Sequence, residues 1–382
     1  MKRRKIAYVT GTRADYGLML SVLRAIQNSR SLNLKLYFTG IHLMKKFGNT
    51  GQMVSRDFPQ AKPIDAFFES NKPLAVTQFI ASLTQQAADR FSKDRPDVVL
   101  TLGDRAEMLA IATVCLYLGI PTAHIHGGDK TATVDEVARH AVTKLSQLHF
   151  PATAEAARRI ERMGEEKWRI HTVGAPALDF IEQQKLLDRK ELCHFLHLDP
   201  SSPFILVTQH PVSDKVDQSG FQMRQTIEAV KTFKRSIVVI YPNADPGSQA
   251  MLTVIDREKK NPFFRIYPNL EYNVFLALEK EAAVWVGNSS AAMIESSSFG
   301  TPVVNVGTRE AGRLHGDNVI HTGHSKNEIV RAIQKSLYDP VYLKRLKKIK
   351  NPWGDGHAAE RIVDVLKTIK LDKRLLDKTI TY

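Results

Sequence analysis

Short apolar or β-branched runs alternate with longer amphipathic stretches along the whole chain. In the first half, the short runs are Lys5–Thr10, Leu34–Thr39, Asp97–Leu102 and Pro121–Ile125. The amphipathic stretches between them are Gly17–Arg30, Leu74–Lys93, Arg105–Tyr117 and Val134–Leu145. Strands that alternate with helices in this way indicate a parallel sheet covered by helices on both faces.

The second half repeats this pattern. Its predicted strands are Phe204–Thr208, Ser236–Tyr241, Phe264–Tyr267, Val284–Val286 and Val303–Val306. Its predicted helices are Gln222–Phe233, Gly247–Glu258, Tyr272–Lys280 and Ala291–Ser298. The pattern predicts an α/β protein with two Rossmann-like, doubly wound domains.

The domains are expected to join near Val173–Pro176, where Gly and Pro follow a short strand. This places the N-terminal domain at residues 1–173 and the C-terminal domain at 174–355. Residues 356–382 form a basic tail whose helix, His357–Ile369, is expected to pack back on the N-terminal domain.

Polar clusters follow the predicted strands in both halves. They are Thr10–Tyr16, Gly103–Arg105, His124–Asp129, Gln209–Pro211, Pro242–Asp245, Asn288–Ser290 and Thr308–Arg313. In doubly wound sheets, ligands bind outside the carboxyl ends of the strands. We therefore expect the two domains to face a ligand cleft.

The segment from Ala282 to Arg313 is typical of an anion site. A buried strand feeds a helix through Ser289 and Ser290, so free N–H groups and a positive dipole end are expected at the strand's edge. Arg309 and Arg313 add permanent positive charge. Glu295 suits ribose hydroxyls better than phosphate, so the segment predicts a nucleoside diphosphate site.

Composition indicates a globular protein and leaves nucleic acid as a partner to consider. The chain has 382 residues, 43% of them hydrophobic, and a formal net charge of +14. Apolar runs stay below the roughly 20 residues that span a membrane, and Cys115 and Cys193 suggest no disulfide. We expect a cytoplasmic protein that binds neither membrane nor nucleic acid, with the basic tail forming a solvated helix face.

A metal site is considered because HIHGGD carries two His and one Asp. His124 and His126 are two residues apart on a strand and share one face. No further cluster with metal-like spacing accompanies them, so neither a metal nor a cofactor is expected.

These clusters, in this order, resemble the UDP-N-acetylglucosamine 2-epimerases and in particular their hydrolysing branch. The matching pieces are TGTRADYG, TGIHL with FGNT, LGDRAEML, HIHGGDKTATVDEVARHAVTKL, VGAPALD, TQHPV, YPNADPGS, and GNSSAAMIE with GTREAGR. The resemblance covers nearly the whole chain and implies the GT-B architecture, in which two Rossmann-like domains face a nucleotide-sugar cleft.

The resemblance also implies roles for individual residues. Positions where the family binds UDP are Arg13, His210, Asn243, Ser289, Ser290, Glu295 and Arg309, and His42 resembles a cleft residue. Asp104 and Asp135 fall on catalytic carboxylates, and His210 is a further candidate. The family commonly has IEGGE where this chain has IHGGD, so His126 and Asp129 each replace a Glu.

The chemistry requires departure of the diphosphate before, or nearly with, loss of the C2 proton. The C2 hydrogen has no adjacent carbonyl that would make it acidic. It becomes removable once the C1–O bond breaks and C1 gains oxocarbenium character. A carboxylate can act as base and stabilise the cation; Asp104 and Asp135 rank above Asp129, and His126 can shuttle a proton.

Structural alternatives remain for several of these residues. Asp104 could only cap a helix, Asp135 could cap or pair with Arg139, and Arg313 could pair with Glu310. His124 is expected to pack inward, and His140 to lie beside Glu136 on a helix.

The leading functional hypothesis is a hydrolysing UDP-N-acetylglucosamine 2-epimerase that releases UDP and N-acetylmannosamine, as in sialic-acid biosynthesis. Alternatives are a non-hydrolysing 2-epimerase, a hydrolysing enzyme for UDP- or GDP-diacetylbacillosamine, a glycosyltransferase, and a nucleotide-sugar sensor or nucleic-acid-binding protein. The resemblance suggests a homodimer or homotetramer.

Overall fold

A computed structural model describes residues 3–44, 50–67, 73–130, 134–183, 185–212, 215–242 and 246–382. The chain divides into two compact units. Unit 1 consists of Met1–Glu182 and Gly354–Tyr382, and unit 2 consists of Gln183–Trp353. This division falls later than the expected joint near residue 174, because the Gly/Pro break leads into a further helix of unit 1.

The sheet of unit 1 has six parallel strands. They are β1 (Arg4–Thr10), β2 (Leu32–Phe38), β3 (Lys62–Pro63), β4 (Val98–Leu102), β5 (Thr122–Ile125) and β6 (Leu148–Phe150). Their order is β3-β2-β1-β4-β5-β6. The strand order reverses between β1 and β4, which pair directly with Tyr8 opposite Leu100.

In the described part of unit 1, five helices connect the strands and two more follow β6. They are α1 (Arg13–Asn28), α2 (Gly51–Asp57), α3 (Pro73–Asp94), α4 (Ala106–Leu118), α5 (Val134–Leu145), α6 (Ala154–Arg162) and α7 (Pro176–Gln183). One core cluster joins Val9, Val99 and Ile111 to the apolar face of α3, including Leu83 and Phe91. Apolar side chains spaced three to four residues apart give α3 this face.

Unit 2 contains a second sheet of six parallel strands. They are β7 (Phe204–Thr208), β8 (Ser236–Ile240), β9 (Phe264–Tyr267), β10 (Val284–Gly287), β11 (Val303–Val306) and β12 (Val319–Thr322). Their order is β12-β11-β10-β7-β8-β9, which reverses between β7 and β10. Each unit therefore has one topological switch point, the place where its strand order reverses.

The helices of unit 2 cover both faces of its sheet. They are α8 (Arg189–Phe195), α9 (Ser219–Lys231), α10 (Ser248–Asp256), α11 (Tyr272–Glu281), α12 (Ser290–Ile294), α13 (Ser296–Phe299), α14 (Lys326–Tyr338) and α15 (Pro340–Leu346). Two core clusters result. One contains Ile205, Val207 and Val286, and the other contains Leu206 and Trp285.

The chain ends with two helices that belong to unit 1, α16 (Ala358–Thr368) and α17 (Lys373–Leu376). Asp179 accepts hydrogen bonds from the N–H groups of Ala358 (2.9 Å) and Ala359 (2.5 Å), which begin α16. Helix α16 packs on α1.

The predicted doubly wound α/β class is confirmed in both units. Two of the predicted helices differ from the structure. Helix α1 begins at Arg13 rather than Gly17, because Thr12 and Asp15 form a capping box. The predicted helix Ala291–Ser298 is two short helices that meet at Glu295. Of the helices that the structure describes, none is long and apolar enough to cross a membrane.

Candidate functional site

In unit 1, the turn that follows β1 is organised around the side chain of Asp15. Its carboxylate accepts hydrogen bonds from the Thr12 N–H (2.6 Å), the Gly11 N–H (3.2 Å) and the Tyr8 hydroxyl (3.0 Å). These bonds fix the turn from β1 into α1. Arg13 follows as the first residue of the helix, with an exposed side chain.

His42 lies close to this turn and is fully buried. Its ring nitrogens meet two hydroxyls, Nε2 at 3.0 Å from Thr10 Oγ1 and Nδ1 at 2.8 Å from Thr50 Oγ1. Burial lowers the pKa of His42, so the ring is neutral at pH 7. The structure thus gives His42 two protein partners, and its predicted contact with substrate stays a prediction.

Asp104 follows β4, at the switch point of unit 1. Its carboxylate pairs with the guanidinium of Arg139 from α5. Arg139 also donates to the carbonyl of His126 at 2.7 Å. Arg139, which is buried, therefore ties the ends of β4 and β5 together. The alternative in which Asp104 only caps a helix is wrong, because the residue at the N-cap of α4 is Arg105.

His124 packs inward, as its position at the end of a strand predicted. It is fully buried, and burial lowers its pKa to about 3. A neutral ring facing the carbonyl of Gly103 (2.8 Å) must carry its proton on Nε2, so Nδ1 accepts from the hydroxyl of Thr143 (3.0 Å).

His126 and Asp129 form a hydrogen-bonded pair after β5. His126 Nδ1 lies 3.0 Å from Asp129 Oδ2, and both side chains are largely buried. Since a carboxylate oxygen accepts, Nδ1 donates, and in the neutral ring Nε2 is then the basic nitrogen. The backbone of His126 has φ +59, a left-handed conformation that non-glycine residues rarely adopt outside constrained sites.

Asp135 and His140 lie on α5 beyond this pair. Asp135 is exposed in the first turn of the helix, whereas the guanidinium of Arg139 is engaged by Asp104. His140 lies 3.5 Å from Glu136, the expected surface arrangement.

The corresponding edge of unit 2 is built by a close approach of β7 and β10. Gly287 has φ +142, and a Cβ atom there would lie 1.8 Å from the carbonyl oxygen of Thr208. The next residue, Asn288, is fully buried and bridges the two strands. Its Oδ1 accepts from the His210 N–H (2.6 Å), and its Nδ2 donates to the His210 carbonyl (2.9 Å).

Ser289 occupies the N-cap of α12, as predicted, but its side chain makes no capping hydrogen bond. Ser290 is the first residue of this helix and is partly exposed. The cap hydroxyl and the first N–H groups of the helix can therefore serve an external acceptor. Because α12 is short, its dipole alone is a weak anion site, and nearby cations must contribute.

Arg309 provides such a cation. It donates to the carbonyl of Asn288 (3.1 Å) and to the carboxylate of Glu310 (2.7 Å). Arg313 donates to the other oxygen of Glu310 at 3.0 Å, which was the alternative considered for it. Glu310 is buried, so this group of two guanidiniums and one carboxylate keeps a net positive charge beside Ser289.

Glu295 differs from the expectation of an open ribose acceptor. It is buried and accepts from the Tyr272 hydroxyl at 3.1 Å. Burial raises its pKa to about 7. Within the described part of the chain, no hydrogen-bond donor reaches either oxygen of the fully buried carboxyl of Glu279. Burial and the charge of Glu295 raise the pKa of Glu279 well above its usual range.

Asn243 lies outside the described residues. In the rest of the chain, no group of three or more His, Cys, Asp or Glu side chains is arranged to hold a metal ion.

Four residues of these sites were missed by sequence reasoning: Arg139, Asn288, Glu279 and Glu310. Arg139 and Glu310 were considered only as surface partners, although both lie within the motifs that carry the family resemblance. Asn288 could have been found from its place between a buried strand and a cap. Glu279 lies in an ordinary amphipathic helix, and nothing in its surroundings along the chain indicated a buried carboxyl.

Several known proteins are similar in sequence to this chain. The profile of the UDP-N-acetylglucosamine 2-epimerase family matches residues 24–367. The chain is 38% identical to the UDP-N,N'-diacetylbacillosamine 2-epimerase (hydrolyzing) of Legionella pneumophila, over 99% of this chain and 100% of that protein. It is 33% identical to a UDP-N-acetylglucosamine 2-epimerase of Neisseria meningitidis serogroup B, over 87% of each chain.

The fold has a counterpart among solved structures. The UDP-GlcNAc 2-epimerase of Neisseria meningitidis, solved with bound UDP-GlcNAc, superposes with a TM-score of 0.78 at 21% identity, over 95% of this chain and 99% of that one. This agreement confirms the GT-B-type class of the two sheets. From the family profile and the full-length relatives together, we conclude that this chain belongs to the UDP-N-acetylglucosamine 2-epimerase family.

Proposed function

We propose that this family member is a hydrolysing 2-epimerase of a UDP-linked 2-acetamido sugar, releasing UDP and the free sugar inverted at C2. The observation that carries the proposal is the cluster at the end of β10. There, an uncommitted cap hydroxyl at Ser289 adjoins Arg309, which is anchored on the carbonyl of Asn288. Amide N–H groups and a guanidinium suit a diphosphate leaving group.

The first step in this proposal breaks the C1–O bond, and its electron pair goes to the β-phosphate of UDP. Donors already in place stabilise the charge that develops on the diphosphate. The C2 proton passes to a base, and a C1=C2 double bond forms in the glycal. Water then adds its oxygen to C1, and a proton reaches C2 from the opposite face.

We assign the base to His126, held by Asp129. The hydrogen bond to Asp129 places the ring proton on Nδ1 and makes Nε2 the basic nitrogen, which is how a carboxylate orients a histidine general base. Asp104 is ion-paired with Arg139, so it is suited to stabilise positive charge near C1 rather than to take the proton. Asp135 and His210 remain further candidates.

Two sugars are candidates for the substrate. UDP-N-acetylglucosamine follows from the motif resemblance, whereas the relative with 38% identity over its whole length acts by its name on UDP-N,N'-diacetylbacillosamine. Because that similarity covers nearly all of this chain, we place UDP-N,N'-diacetylbacillosamine first.

The test is a set of parallel incubations in deuterated water with both UDP-sugars and a GDP-linked counterpart. Products are identified by NMR. The proposal requires free UDP and a free sugar that carries deuterium at an inverted C2. A product that retains UDP would make this a non-hydrolysing epimerase, and unlabelled C2 would exclude proton abstraction.

A further inference from the structure

The C-terminal tail is bound to the body of unit 1 by two cations, Arg169 in the body and the partly buried Lys378 in the tail. Arg169, which is fully buried, donates to the carbonyls of Leu375 (2.8 Å), Arg374 (2.9 Å) and Asp377 (3.0 Å) in the tail. These carbonyls belong to the end of α17, where helix carbonyls lack partners within the helix.

Lys378 makes the reciprocal contact from the tail to the body. Its ammonium donates to the carbonyls of Lys144 (2.5 Å) and Ser146 (2.7 Å) and approaches that of Thr143 at 3.4 Å. These carbonyls lie at the C-terminus of α5, the end at which a helix favours positive charge. We call Arg169, Lys378 and the carbonyls they bind the C-terminal clasp.

A buried carboxylate supports the clasp. Glu165 contacts Lys378 at 3.1 Å, Lys144 at 2.6 Å and His149 at 2.9 Å, and its side chain is fully buried. Bonds from His149 and Lys144 outweigh burial and lower the pKa of Glu165 to about 2. Burial lowers the pKa of Lys378 to about 8, offset in part by Glu165, so Lys378 is mostly charged at neutral pH. The expected solvated position of this lysine is therefore wrong.

A short, continuous set of contacts connects the C-terminal clasp to the candidate catalytic residues. Thr143, whose carbonyl faces Lys378, donates from its hydroxyl to His124 (3.0 Å). His124 in turn donates to the carbonyl of Gly103 (2.8 Å), the residue before Asp104. One helical turn before Thr143, Arg139 holds Asp104 and the carbonyl of His126.

We propose that Lys378 is a positioning residue, which fixes the C-terminal end of α5 and thereby the arrangement of Arg139, Asp104 and His126. The inference rests on the proposed function for its catalytic consequence. Its structural consequence, that α5 is held by the tail, is independent of that function. Lys378 touches neither Asp104 nor His126, so its effect must pass through α5 and His124.

The first test measures hydrogen exchange of residues 134–145 in the full chain with Lys378→Met, without substrate. Lys370→Met, an exposed lysine of the same tail, is the matched control. Loss of the three carbonyl contacts is expected to speed exchange at the end of α5 by about tenfold or more, through local opening. Equal exchange in both variants would overturn the proposal.

The second test is kinetic and adds Lys378→Arg and Lys378→Ala to the same two variants. We expect kcat to fall by about tenfold with Lys378→Met while KM stays near that of the parent, because misplaced catalytic groups affect the transition state more than binding. Lys378→Arg should restore part of kcat, and methylammonium should partly rescue Lys378→Ala. A rise in KM with unchanged kcat, or full activity of Lys378→Met, would contradict the inference.

The two tests separate the two proposals. If the parent protein turns over no nucleotide sugar, the proposed function fails, and the exchange measurement still decides whether the tail holds α5. If the parent is active and Lys378→Met changes neither measurement, only the positioning role fails.

Discussion

The switch points of the two sheets use charge in opposite ways. In unit 1 the carboxyl groups near the strand ends each have a donor, since Asp104 pairs with Arg139 and Asp129 with His126. In unit 2 the buried carboxyls of Glu279 and Glu295 have no cationic partner among the described residues, and burial raises the pKa of both. Carboxylates held by a donor suit a site that handles a proton and a cationic sugar carbon. In a site for a diphosphate, carboxyls are best neutral or outweighed by cations, as Glu310 is by Arg309 and Arg313.

The largest expected effect tests the proton-handling part of this comparison. His126→Gln removes the proposed base, and kcat should fall by about 10²- to 10⁴-fold. The dissociation constant of UDP, measured by calorimetry, should not change, because the diphosphate donors lie in unit 2. His140→Gln on α5 is the control. A variant at His126 that keeps near-normal kcat would move the base to Asp104 or Asp135.

The close approach of β7 and β10 sets the frame of the unit 2 site. Gly287→Ala places a methyl group against the carbonyl of Thr208 and should lower the free energy of unfolding by about 3–5 kcal/mol. Gly312→Ala is the control, because Gly312 also has positive φ (+74), but a methyl group there would have nothing within 4 Å. Its cost should be about 1–2 kcal/mol. Similar urea denaturation midpoints for both variants would contradict the steric argument.

The cationic character of unit 2 is tested at Arg309. Arg309→Met removes the guanidinium beside Ser289, and the dissociation constant of UDP should rise by about 10- to 100-fold, the range for losing a hydrogen bond to a charged group. Arg345→Met, an exposed arginine of the same unit, should leave affinity unchanged at physiological salt. UDP binding that is insensitive to Arg309 would place the nucleotide elsewhere.

The smallest expected effect concerns the raised pKa values of Glu279 and Glu295. A carboxyl whose folded pKa is raised stabilises the fold most below its unfolded pKa and loses this contribution as pH rises through the folded value. Because the pKa of Glu295 is about 7, the free energy of unfolding should fall by on the order of 1–2 kcal/mol between pH 5 and 8.

Urea denaturation of Glu279→Gln across this pH range checks the effect. The amide does not titrate and can donate to Glu295, which lowers the pKa of Glu295, so the pH dependence should weaken. Glu281→Gln on the same helix is the control. Glu165 in unit 1 gives the opposite sign, because its pKa is lowered to about 2 and its stabilisation is lost only as pH falls through that value.

The sequence by itself determined the doubly wound class, the family, and the strand ends that carry polar residues. The buried runs Phe204–Thr208 and Val303–Val306 match β7 and β11 residue for residue, because strands buried on both faces leave a continuous apolar signal. The same holds for the amphipathic stretch Val134–Leu145, which is α5. Such signals are local, so they can be recognised without knowing which segments pack against them.

Only the tertiary structure decided which polar side chains meet. Asp104 and Arg139 are brought together by the pairing of β4 with β5, and Glu279 meets Glu295 because α11 packs beside the break between α12 and α13. Lys378 looked like one more solvated cation of a basic tail, yet it binds carbonyls that lie more than two hundred positions earlier in the chain. Partners of this kind depend on long-range packing and not on sequence spacing, so no local pattern encodes them.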